Sequence, residues 1–222
     1  MSASDLAALP VRLGSAIRHR RLFHPAGVLA GGTLERLAAP GDGLPMVSGE
    51  VIGRVSKGIG LPGSVPDIVG LAWRMPPHPP PGTPWDVLLA STTGGPLGRL
   101  LLRPAIGWTG VTTSSLMPVR YAGGTWWLRG RVASVFEQPG LSLDAVAERI
   151  ADGGMVFDIE QAAGTGRFRP LAQLTLHDLI TGREVSFDPV LNTAPGVQLL
   201  PGWLADFRRA AYRRSREGRS AE

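Results

Sequence analysis

Residues 46–56, MVSGEVIGRVS, decide how this chain is read, because apolar and polar side chains alternate along them with the period of a strand. In a strand, residues two apart project to one face, so Val51, Gly53 and Val55 share one side and Arg54 and Ser56 the other. Working outward, the same pattern returns in DIVGLAWRM (67–75), WDVLLAST (85–92), TWWLRGRVASV (125–135) and LAQLTLHDLI (171–180), each set off by Gly or Pro. Five such segments predict an antiparallel barrel or sandwich.

The composition agrees with a turn-rich β protein. Gly (30) and Pro (20) are abundant among the 222 residues, yet 43% of the chain is hydrophobic and polar low-complexity tracts are missing. A chain of this length fits one large domain, and residues 1–222 are read as one. The proline-rich run 76–84 is read as a stiff connection inside that domain. With no cysteine, disulfides, thiolate metal sites and thiol nucleophiles are excluded. No apolar run reaches the length of a signal core or a membrane span, which predicts a cytoplasmic protein. The net charge of +5 is almost all arginine, Lys57 being the one lysine, and the aromatic residues are not interleaved with the basic runs; nucleic acid is not an expected partner.

Helical spacing interrupts the strands in three places. Leu6, Leu9, Leu13 and Ile17 fall on one face of an amino-terminal arm over residues 1–21. Residues 141–151 carry Leu143, Val146, Ala147 and Ile150 on one side behind Ser142 as N-cap. The last stretch, 202–219, places Trp203, Leu204, Phe207, Ala211 and Tyr212 at helical spacing among arginines.

Several residues are suited to chemistry. His24, in RRLFHPAG, sits against a proline that stiffens the turn, as a proton-transferring base requires, although a lone histidine beside proline is more often a surface or half-buried side chain. Arg54 and Ser56 place a charge and a hydroxyl on one strand face; an edge strand facing solvent would look the same. Arg208 and Tyr212 are one helical turn apart, and a guanidinium beside a phenol favours the phenolate, a hard anionic ligand for ferric haem. Arg216 and Arg219 continue along that side, where a solvated basic helix is the alternative. Asp67, Asp86, Asp144, Asp158 and Glu160 have no motif that pairs them, and His78 and His177 have no metal-ligand spacing. Trp126 and Trp127 are expected to pack across a sheet.

Taken in order, RRLFHPAG, GRVSKG, DIVGLAWRM, WDVLLAST and the closing FDP with RRAAYRRSREGR resemble successive blocks of the catalase-like superfamily over roughly Arg18 to Arg219. The resemblance implies an α+β architecture, a catalase-like antiparallel β-barrel with an N-terminal arm and a C-terminal helix, and haem b as cofactor. It implies His24 as the distal histidine with Ser56 orienting it. Arg21, Arg54 and Arg219 would meet the haem propionates, and Tyr212, supported by Arg208, would be the axial ligand to iron. Catalase relatives usually assemble through their arms, so a homo-oligomer is compatible with it.

One departure bears on activity. Catalases place an asparagine on the distal side after a Trp-Asp pair; here Trp85 and Asp86 lead to Ala90 at that place, with Ser91 next to it as a hydroxyl that would hold peroxide or water. The chain also lacks the length of the wrapping and carboxyl-terminal regions of large catalases, which predicts a more open haem edge. The expected activity is that of a haem-dependent peroxidase: peroxide enters on the His24 side, His24 moves the proton, and a small organic donor is oxidised. Two alternatives stand beside it, an allene oxide synthase-like rearrangement of an organic hydroperoxide and a haem-free barrel that binds a small ligand.

Overall fold

The computed structural model describes residues 26–93 and 98–200. The amino-terminal arm and the carboxyl-terminal helix, and with them Arg21, His24, Arg208, Tyr212 and Arg219, lie outside the described residues. Ten strands follow in chain order: β1 (Ala26–Arg36), β2 (Gly49–Lys57), β3 (Val69–Met75), β4 (Trp85–Ser91), β5 (Thr112–Ser114), β6 (Val119–Tyr121), β7 (Gly124–Val132), β8 (Met155–Ala163), β9 (Arg169–Leu179) and β10 (Gln198–Leu199). A helix, α1 (Leu143–Ala151), separates β7 from β8.

All pairings between these strands are antiparallel. The order β7-β5-β4-β3-β2-β1-β9-β8 returns to β7 through the β7–β8 pairing, so eight strands close into a barrel and no strand edge is left in the ring. The interior follows from alternation. Leu34, Val55, Leu71, Trp73, Phe157 and Leu174 point inward and are buried. Gly53 also faces in, where a β-carbon would come within 2.5 Å of the Leu176 side chain; the glycine makes the space that the leucine fills.

The proline-rich connection 76–84 joins β3 to β4, which pair over Gly70–Met75 and Trp85–Ala90. The turn from β6 to β7 is made by Ala122 and Gly123, both with positive φ (48° and 76°), the geometry of a tight hairpin. Helix α1 begins where Ser142 Oγ accepts a hydrogen bond from Ala145 N (3.3 Å), and it lays Val146 and Ile150 on β1, β8 and β9. Each of those two side chains contributes about 1.5–3 kcal/mol by its burial.

The barrel wall is thinnest beside β4, because β5 meets it only at Ala90 and Ser91. The segment 186–199 crosses there and is pinned by one carboxylate. Asp86, 1% exposed, accepts from Arg74 Nε (2.6 Å) and a second Arg74 nitrogen (2.7 Å), from Asp188 N (2.7 Å) and from Asn192 Nδ2 (2.7 Å). Asp86 N in turn donates to the Asn192 carbonyl (3.0 Å). Among the described residues no helix is long and apolar enough to cross a membrane.

Candidate functional site

Register places the chemistry-bearing residues of β2 and β4 in one row. Gly27 of β1 pairs with Ser56 of β2, Ser56 with Gly70 of β3, Gly70 with Ala90 of β4, Ala90 with Ser114 of β5, and Ser114 with Arg129 of β7. These residues alternate with the inward set, so the row runs across the outside of the barrel. From Gly27 to Ser114 it has no side chain larger than a hydroxymethyl group. Strands being about 4.8 Å apart, five of them make a strip of small side chains, in which Ser56 and Ser114 are buried.

The next row on the same face is Leu29, Arg54, Ala72 and Leu88. Arg54 is half-buried and its guanidinium lies across Gly27: a β-carbon on Gly27 would come within 2.7 Å of Arg54 Nε and 2.8 Å of the Val55 carbonyl oxygen. Glycine at 27 is what lets this arginine lie flat on the wall. Ser56 Oγ reaches the Gly70 carbonyl at 3.4 Å. Arg54, Ser56 and Ala90, singled out from sequence, are therefore together on one face of β2–β4. Ala26, the first residue of β1, pairs with Lys57, and His24 precedes it by two positions in the sequence.

Ser91 is a correction. It projects inward, accepts from Val69 N (3.0 Å) and donates to the Arg103 carbonyl (2.7 Å), so its hydroxyl is consumed by the structure and faces away from the strip. The neighbour of Ala90 on the outer face is Ser114 instead, and sequence reasoning missed it. Its strand pairs through three residues only, too short for a periodicity signal. Ser114 is 1% exposed and its hydroxyl has no hydrogen-bond partner, whereas Thr113 Oγ1 beside it donates to the Gly130 carbonyl (3.0 Å).

Beyond Ser114 the row ends in a cationic and aromatic cluster that was also not foreseen. Arg129 Nε donates to Glu160 Oε2 (2.6 Å), and its guanidinium lies 4.2 Å from the Phe168 ring centre. Arg99, buried, stands 4.8 Å from the Trp127 ring and 5.3 Å from Phe168. Burial, with Arg129 nearby, lowers the Arg99 pKa below the usual arginine value. Trp126 packs against the barrel core, where its indole nitrogen donates to the Tyr121 carbonyl (3.3 Å) and Arg169 lies over its ring.

Four of the carboxylates without a motif, Asp67, Asp86, Asp158 and Glu160, are engaged within the fold. Asp67 accepts four backbone N–H bonds, from Ile59, Gly60, Leu61 and Ile68 (2.7–2.9 Å), which shapes the turn that follows Lys57. Burial works to raise its pKa, the four donors outweigh it, and the carboxyl titrates below the usual aspartate value. The hydrogen bond to Asp86 raises the Arg74 pKa. Asp158 pairs with Arg131 (2.8 Å), and His177 is an exposed partner of Asp178 (3.0 Å). Among the described residues no group of three or more His, Asp or Glu stands together to hold a metal ion.

What this wall would offer a planar anionic group such as haem is a row of small side chains with the Arg54 guanidinium beside it. The strip fits it in two respects: small side chains over five strands, and a buried, unpartnered hydroxyl within it. A cavity by Trp85, Leu88, Met117 and Val197 has only about 40 Å³ of space, enough for water and not for an organic ligand.

No family model matches the chain, and no curated protein matches it in sequence. Solved structures do. A fungal catalase superposes with a TM-score of 0.65 at 12% identity, covering 94% of this chain and 61% of that one. A bacterial catalase superposes with a TM-score of 0.61 at 12% identity, covering 94% of this chain and 59% of that one. The chain has a catalase-like fold and spans about three fifths of the length of these catalases.

Proposed function

We propose that the chain is a haem-dependent, peroxidase-like oxidoreductase that uses hydrogen peroxide or an organic hydroperoxide. The observation that carries this reading is the placement of Arg54, Ser56 and Ala90 in neighbouring rows on one outer face of a catalase-like barrel. Bound haem would supply the two-electron chemistry of peroxide reduction. Arg54, with Arg21 and Arg219, would neutralise the propionates by charge-assisted hydrogen bonds. Ser56 would hold His24 in one orientation, and His24 would carry the proton from the near to the far peroxide oxygen. Tyr212 would bind iron as phenolate, kept deprotonated by Arg208. The apolar flank of Leu29, Ala72 and Leu88, the last 37% exposed, suits an organic substrate better than hydrogen peroxide alone.

The test is peroxide-dependent oxidation of a phenolic donor by the haem-loaded protein, with cumene hydroperoxide and hydrogen peroxide compared. The reading expects turnover that falls about 100-fold or more in His24→Ala, the usual size of a lost acid–base group. Equal turnover in wild type and His24→Ala would refute it.

A further inference from the structure

Buried hydroxyls in native proteins are nearly always paired, and one that is not calls for an explanation. Among the described residues, the buried side-chain polar atoms without a partner are Trp73 Nε1, Arg149 Nε and Ser114 Oγ. Trp73 belongs to the barrel interior and Arg149 to α1; Ser114 alone is in the row that carries Ser56 and Ala90. The other hydroxyls around it are engaged: Ser91 with Val69 N and the Arg103 carbonyl, Thr113 with the Gly130 carbonyl, Ser115 with Leu128 N.

We propose that Ser114 Oγ is the hydrogen-bonding group that holds a small oxygen ligand, peroxide or water, on the outer strip beside Ala90. The inference rests on the haem reading and adds to it the residue that contacts the oxidant. Ala90 presents only a methyl group, and the cross-strand position next to it on the same face supplies a hydroxyl with donor and acceptor capacity unused. A hydroxyl can donate to one peroxide oxygen and accept from the other's proton, so the role needs no second polar residue. Leaving the group unpaired costs folding free energy, and a ligand that pairs it recovers that cost on binding.

The experiment has two arms. In haem-free protein, Ser114→Ala removes a buried hydroxyl that bonds nothing, so its urea midpoint is expected to equal or exceed that of wild type. A clear fall would reveal a structural partner and overturn the proposal. In haem-loaded protein, fluoride and azide serve as probes of the ferric form. Ser114→Ala is expected to weaken both about tenfold, the worth of one hydrogen bond to an anion, with Ser114→Thr restoring most of the affinity. Unchanged affinity in Ser114→Ala would overturn the assignment of Ser114 while leaving the haem reading intact. Failure of the wild type to take up haem would overturn both.

Discussion

Asp86→Ala is the perturbation that tests most sharply how the barrel keeps its thin side closed. The carboxylate is 1% exposed and holds Arg74 through two short bonds (2.6 and 2.7 Å), the Asp188 amide and the Asn192 side chain. Truncation strands a cation whose side chain is only 28% exposed and leaves an amide N–H and a carboxamide without their acceptor. Removing one partner of a buried pair costs about 3–5 kcal/mol, and Arg74, which keeps its bond to the Ser186 carbonyl (2.8 Å) and some access to water, places this case toward the lower end. A loss of about 3 kcal/mol is therefore expected in equilibrium urea unfolding, read from the midpoint at constant slope. Limited proteolysis should cut the variant between Asp188 and Leu199 before the wild type is cut anywhere in the barrel. A loss below about 1 kcal/mol would refute the idea that this carboxylate pins the closing segment.

Asp67→Asn tests the turn after Lys57. The folded-state pKa of Asp67 lies below its unfolded value, so its stabilisation is present above the usual aspartate pKa of about 3.9 and is lost as pH falls through the lower folded value. Wild type should lose more stability than Asp67→Asn between about pH 5 and about pH 2, which urea midpoints across that range would show. Gln161→Leu should cost about 1–3 kcal/mol by thermal or urea unfolding, because Gln161 Oε1 accepts from Leu44 N (2.8 Å) and Nε2 donates to the Asp42 carbonyl (3.1 Å) in the buried interior. Arg54→Leu would remove the guanidinium that lies across Gly27 without crowding the β1–β2 backbone; haem uptake is expected to fall, and a spectral titration equal to wild type would count against Arg54 as a propionate partner.

Strands β2, β3, β4, β7 and β9 were legible in the sequence because each alternates, and helix α1 because Ser142 caps it. Strand β1 was not, since Gly31 and Gly32 erase its apolar signal; Gly32 is there because a β-carbon would lie 2.1 Å from the Thr175 carbonyl oxygen. Strand β8 carries the same alternation, Met155, Phe157 and Ile159 inward against Asp158 and Glu160 outward. Of the site, Arg54 and Ser56 follow from alternation alone. The same rule, applied to β4, puts Ser91 opposite to Ala90 and inside the barrel. Ser114 follows from no local pattern: it reaches the strip through a cross-strand register that only the closed sheet sets.

Haem binding through the Tyr212 phenolate, as proposed above, is open to direct observation. The most direct measurement is the visible spectrum of the purified protein after haem is supplied, recorded beside Tyr212→Phe. A Soret band is expected in the wild type and is expected to be lost or shifted in the variant. A wild type that stays colourless, or a band identical in Tyr212→Phe, would contradict it.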